Sequence, residues 1–130
     1  MKNKVFVYGT LKRGFGNNGF LINQKFIGVG CTRNKFALYK DSLPYLVDKP
    51  ETPIGGEVYE VDNETLERLD SLEGHPNWYR RKKILVCIPS TGNCVECWAY
   101  FLITKLPSSA ILIKTGNYKK EYYGTEIFKL

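Results

Sequence analysis

IGGEVYEVDNETLERLDSLEGHPNWYRR, residues 54–81, reads as a strand, one short helix and the start of another strand. Val58, Tyr59 and Val61 carry the period-two pattern of the first strand, residues 54–61. Asp62 is placed to cap the helix, and Val61 can staple to Leu66 across it. Leu66, Leu69 and Leu72 then fall on one helical stripe. Gly74 can take the left-handed position that ends a helix, and Pro76 stops any continuation. No other helix in the chain is as well specified, and strands surround this one. The pattern predicts an α+β domain: a small mixed, curled or barrel-like sheet with one main helix packed on it.

Glu73 is seven residues after Leu66 and four after Leu69, so it points the same way as the leucines. The helix therefore ends with a carboxylate on its apolar face, at the negative pole of the macrodipole. Burial and the dipole both disfavour ionisation, which makes Glu73 a candidate general acid/base. A second reading stands beside it. Glu73 can lean off the stripe into water, or pair with a cation such as Arg80.

Outward from this segment the other strands follow. KVFVY, residues 4–8, is a short apolar strand; residues 25–40 hold one or two strands, and PYLV, residues 44–47, a further extended piece. Phe20 to Ile22 suit a helical turn. Residues 78–88 and 94–103 form a hairpin around Ser90-Thr91-Gly92-Asn93. Residues 104–130 are weakly patterned and carry Tyr118, Tyr122 and Tyr123; they are expected to lie over the domain. The 130 residues fit a single domain with one core, which nine Tyr and seven Phe can fill.

YGTLKRGFGNNG, residues 8–19, follows the first strand. Its Gly14-x-Gly16-x-x-Gly19 spacing nominally matches a dinucleotide fingerprint. That fingerprint needs its first glycine at the strand end and a crossover helix after it, and neither is present. A P-loop fails too, since Gly14 is followed by Phe15 and Gly16. A flexible connection is one remaining reading. The other is an anion-binding turn: Gly9 permits a left-handed turn or close ligand approach, and Thr10 and Leu11 add N–H donors and a wall.

No segment approaches the ~20 apolar residues that span a bilayer, so no membrane role is expected. The N-terminus enters a strand without a signal-peptide core, so the expected location is cytoplasmic. On that basis Cys31, Cys87, Cys94 and Cys97 are expected to be reduced thiols. Cys94 and Cys97 form a CxxC, but three-residue spacing on a strand places them on opposite faces. With one His and no second CxxC, no metal site is expected. The net charge of +6 is compatible with nucleic acid without arguing for it, because Arg80, Arg81, Lys82 and Lys83 alternate faces on a strand. A basic RNA-binding module is therefore a weaker alternative, and no nucleic-acid partner is expected.

VFVYGTLKRG with Asn17, GEVYEVD at residues 56–62 and LDSLEGHPNWYRR at residues 69–81 together resemble the γ-glutamylcyclotransferase superfamily. The branch they most resemble is the AIG2-like γ-glutamylamine cyclotransferases, and the likeness extends weakly to Cys97-Trp98-Ala99-Tyr100. The resemblance implies a small mixed barrel and a cofactor-independent reaction. A γ-glutamyl amine or amino compound, such as γ-glutamyl-ε-lysine, would give 5-oxoproline and a free amine. It further implies that Tyr8, Gly9, Thr10 and Leu11 bind the γ-glutamyl group, that Glu73 is the acid/base, and that Tyr79 lines the pocket. A non-catalytic ligand-binding member of the same fold is the main alternative.

Overall fold

The computed structural model describes residues 2–119. The strands are β1 (Lys2–Val7), β2 (Lys25–Thr32), β3 (Phe36–Lys40), β4 (Pro44–Thr52), β5 (Gly55–Asp62), β6 (Tyr79–Ile88), β7 (Asn93–Leu102) and β8 (Ile111–Leu112). The helix is α1 (Asn63–Glu73), and a 3₁₀ turn spans Asn18–Leu21. β1, β5, β2, β6 and β7 close in that order into a five-stranded barrel. The seam is the parallel pairing of β1 with β7 at Val5 and Trp98. A three-stranded sheet, β4-β3-β8, lies beside it.

Period-two alternation sorts the apolar residues into two buried clusters. Phe6, Val58, Val86, Ile88, Cys97, Ala99 and Phe101 belong to one, with Leu38 and Leu46 of the second sheet. Val5, Val7, Tyr59, Val61, Tyr100 and Leu102 belong to the other, which takes in Leu66 and Leu69 of α1. The helix is thus clamped by the same strands that fill the barrel. Its ends are built as the sequence implies. The Thr65 N–H donates to Asp62 Oδ1 at 2.7 Å. Gly74 has φ 64°, and its N–H and that of His75 donate to the Ser71 and Asp70 carbonyls. These two bonds are a Schellman motif, which requires the left-handed backbone that glycine supplies.

Several expectations are corrected. β4 runs to Thr52, well past the extended piece expected at residues 44–47. The segment after Thr104 is more than a cover: β8 pairs with β3, and Ile113 and Tyr118 are buried in the barrel cluster. Tyr122 and Tyr123 lie outside the described residues. The four cysteines are not all reduced thiols, since Cys87 and Cys94 form a disulfide. The physical reason is register. The β6–β7 turn closes over residues 89–92, one residue earlier than the expected Ser90–Asn93, and this register pairs Cys87 directly with Cys94. Cys94 and Cys97 do face opposite ways, with Cys97 buried in the barrel.

Candidate active site

The exit of β1, the end of α1 and the entry to β6 converge on one cavity of about 190 Å³. Tyr8, Gly9, Thr10, Leu11 and Asn17 form one wall. Leu72, Glu73, Trp78, Tyr79, Tyr100, Leu43 and Pro44 line the same cavity. All six residues expected at the site therefore share this cavity. Among the described residues of the lining, Glu73 is the one that carries a charge.

Glu73 is half-buried, open towards the cavity and crowded by protein elsewhere. Among the described residues no side chain hydrogen-bonds or ion-pairs with it, Arg80 included. Burial pushes its carboxyl up to about 7. Three phenols surround the same space. Burial raises Tyr8, Tyr79 and Tyr100, and the Glu73 charge adds to each. All three therefore stay protonated. Their protons are already committed: Tyr8 donates to the Tyr100 carbonyl at 2.7 Å, Tyr79 to the Pro44 carbonyl at 3.0 Å, and Tyr100 to Asp70 Oδ1 at 2.6 Å. Each phenol oxygen keeps a lone pair for a ligand ammonium, that of Tyr8 beside the hydrogen bond it accepts from the Leu46 backbone N–H.

The loop after β1 is a bonded structure and not a flexible connection. Lys12 N–H donates to the Gly9 carbonyl, Asn17 N–H to the Thr10 carbonyl, and Asn17 Nδ2 to Thr10 Oγ1 at 2.9 Å. Asn18 Nδ2 donates to the Leu11 carbonyl, and Arg13 N–H to Glu57 Oε1. Among the described residues the N–H groups of Gly9, Thr10 and Leu11 meet no acceptor. Gly9 does not take the left-handed turn that was one of its two expected uses: among the described glycines, positive φ occurs at Gly14, Gly74, Gly92 and Gly116. Glycine is required at position 9 because a Cβ there would overlap the Pro44 ring. Close approach, and not backbone handedness, is the constraint.

Sequence reasoning gave no part to Asp70, His75, Trp78 or Tyr100. Asp70 takes Arg81 Nε at 2.8 Å and Arg81 Nη2 at 3.2 Å, and so positions Tyr100. The His75 Nδ1 accepts the Arg81 N–H at 3.2 Å, which pins the turn after the helix. The acidic residue one turn before Glu73 was the available signal, paired with the basic run it meets. That run is otherwise dispersed, with Lys82 on Asp48 and Lys83 over Trp98. Among the described residues no group of three or more His, Cys, Asp or Glu is arranged to hold a metal ion. No helix among them is long and apolar enough to cross a membrane.

The family model for γ-glutamyl cyclotransferase, AIG2-like, matches residues 5–120. The chain belongs to this family. A provisionally named γ-glutamylcyclotransferase of Methanocaldococcus jannaschii is 48% identical over 122 residues, 92% of this chain and 98% of the relative. The γ-glutamylaminecyclotransferase of Rattus norvegicus is 35% identical, over 90% of this chain and 89% of its own. The crystal structure of an AIG2-like protein from Mus musculus superposes with a TM-score of 0.82 at 31% identity, covering 92% of this chain and 90% of that one. The same fold recurs, at 18% identity and a TM-score of 0.70, within Kluyveromyces lactis allophanate hydrolase, where 94% of this chain matches 21% of the larger one. That likeness concerns the fold alone. Family membership bears out the γ-glutamylcyclotransferase resemblance and the barrel it implied.

Proposed function

We propose that the protein converts a γ-glutamyl amine to 5-oxoproline and the free amine, with Glu73 as general acid and base. The supporting observation is a carboxylate that lines a small cavity together with a run of N–H groups, neither having a partner among the described residues. The substrate's α-amine attacks its own γ-carbonyl carbon. Glu73 takes the proton that the ammonium must lose. The N–H groups of Gly9, Thr10 and Leu11 stabilise the tetrahedral oxyanion. The C–N bond to the leaving amine then breaks, and Glu73 returns its proton to that nitrogen. A carboxyl at about 7 suits both transfers, because it is neither fully ionised nor fully protonated near neutrality. Ring closure within one molecule supplies the effective concentration that a second substrate would otherwise need.

Tyr8 and Tyr79 wall the γ-glutamyl group and offer oxygens to its ammonium. The leaving group passes between Leu43, Leu72 and Trp78, an uncharged and largely apolar slot. That slot fits an alkyl stem such as the lysine side chain of γ-glutamyl-ε-lysine, and the name of the rat relative points the same way. The reaction runs with small molecules, without a cofactor, and in the cytoplasm. The test is turnover of γ-glutamyl compounds in ¹⁸O-water with mass analysis of the acidic product. Unlabelled 5-oxoproline with released amine is expected. Labelled glutamate as the first product would replace cyclisation by hydrolysis.

A further inference from the structure

Three cysteines lie in a row on the outer face of the barrel, away from the cavity. Cys31 of β2 is in register with Cys87 of β6, and Cys87 is in register with Cys94 of β7. Their sequence neighbours Thr32, Val86 and Ile88 are buried, so the alternation of each strand turns the cysteines outward. Cys31 is exposed and free, while Cys87 and Cys94 are joined. β6 lies between β2 and β7, so Cys31 and Cys94 flank Cys87 from opposite sides. The Cys87 and Cys94 Cα atoms are 3.9 Å apart, and Cys31 stands directly opposite Cys87 on the other side, where antiparallel partners have Cα atoms about 4.5–5.5 Å apart, within the ~4.4–6.8 Å that a disulfide usually spans. Cys87 is therefore within reach of either neighbour.

We propose that this row is a thiol–disulfide exchange site in which Cys31 and Cys94 compete for Cys87. The Cys31 thiolate, on the strand flanking β6 on the side away from Cys94, attacks Cys87 Sγ. A bond forms between Cys31 and Cys87 as the Cys87–Cys94 bond breaks. The electron pair leaves on Cys94 Sγ, which takes up a proton. One thiol is consumed and one released, so neither an oxidant nor a reductant is used. The two cross-links constrain different seams. The Cys87–Cys94 bond joins residues seven apart within the long β6–β7 ladder. A Cys31–Cys87 bond would join residues 56 positions apart across the short β2–β6 ladder, which holds the pairs Cys31–Cys87 and Thr32–Val86. Exchange moves the covalent tie from a well-paired seam to a sparsely paired one. Only the thiolate attacks, and partial desolvation raises the Cys31 thiol above its ordinary value, so exchange quickens as the solution becomes alkaline.

The test uses the protein purified without reductant and held at mildly alkaline pH. Free thiols are then blocked with iodoacetamide, and the linked peptides are mapped by mass spectrometry. The expected result is Cys31–Cys87 peptide alongside Cys87–Cys94 peptide, with alkylation divided between Cys31 and Cys94. In Cys31→Ser, Cys94 should remain unalkylated. Cys94→Ser, treated with diamide, should form the Cys31–Cys87 bond and melt about 5–15 °C above its reduced form, as closure of a long loop implies. A wild type with only the Cys87–Cys94 linkage would overturn the proposal. So would three free thiols before incubation, Cys94 alkylation in Cys31→Ser at the wild-type level, or a folded Cys94→Ser without the new bond.

Discussion

Asp70 and Glu73 sit one turn apart at the end of α1, and both are carboxylates partly withdrawn from water. They share the helix dipole, which opposes ionisation of each. Burial also acts on both in the same direction. Asp70 nevertheless lies below its ordinary range, because hydrogen bonds from Arg81 and Tyr100, with the Arg81 charge, outweigh its burial. Glu73 has no such partners among the described residues, and burial raises it to about 7. Position on a helix therefore does not settle what a carboxylate does; the donors that reach it do. Here the pinned one orders the site and the unpinned one is left able to exchange protons. Tyr100 connects them, since it lines the Glu73 cavity but gives its proton to Asp70.

Removing the unpinned carboxylate is the largest test of this contrast. Glu73→Gln should lower turnover by ~10²–10⁴-fold with the fold intact, measured as 5-oxoproline release. In the wild type the acid limb of kcat/KM should fall near pH 7, since Glu73 must be ionised to accept a proton. Substantial turnover in the glutamine variant would remove Glu73 from the chemistry.

The donor side offers the next largest effect. Gly9→Val should reduce kcat/KM well beyond Thr10→Ser. A valine must displace Pro44, whose carbonyl holds the Tyr79 hydroxyl, and overpacking of this kind costs about 1–3 kcal/mol. Serine at position 10 keeps the hydroxyl that accepts from Asn17. Full activity and unchanged melting of Gly9→Val would show that the β1 exit does not shape the site.

Much of this was legible in the sequence where the signal was local. The cap at Asp62, the leucine stripe, Gly74 and the direction of Glu73 depend on spacing within a few residues. The β5 strand followed from period two, β1 from its apolar run, the β6–β7 hairpin from its turn residues, and the position of the β1 loop from its glycines and the family likeness. What was illegible depends on register and on contacts between distant segments. The need for glycine at position 9 comes from Pro44, on another strand. The disulfide turns on one residue of slip in the β6–β7 hairpin. The Asp70–Arg81–Tyr100 cluster joins α1, β6 and β7. No spacing rule within a single element points to any of these.

Loosening the pinned carboxylate should have a smaller effect of a different kind. Asp70→Asn keeps an acceptor for Tyr100 but leaves Arg81 without its countercharge. Each partner of this pair is 20% exposed, so the loss should lie between that of a surface pair and a buried one, about 1–3 kcal/mol. The freed guanidinium should also favour ionised Glu73 and move the acid limb of kcat/KM to lower pH. A destabilised variant with an unmoved limb would mean that the two carboxylates act independently.

The smallest effect is on stability, and its sign separates the two residues. The Glu73 pKa is raised on folding, from an ordinary 4.5 to about 7. At about pH 4 it is largely protonated in both states, and glutamine there should change little. As pH rises through this window the unfolded chain releases its proton first, so the native wild type loses stability. A tenfold change in an acid constant corresponds to ~1.4 kcal/mol, and access of water from the cavity should reduce the total to about 1–2 kcal/mol. By about pH 8 Glu73→Gln should therefore be the more stable protein by that amount. Asp70 runs the other way. Its pKa is lowered on folding, so its contribution is present at neutral pH and fades on acidification. Urea midpoints across this range should show the Glu73→Gln curve rising above wild type with pH while the Asp70→Asn curve falls below it. Parallel curves for Glu73→Gln and wild type would show that the native state does not penalise the Glu73 charge, and the contrast between the two carboxylates would be lost.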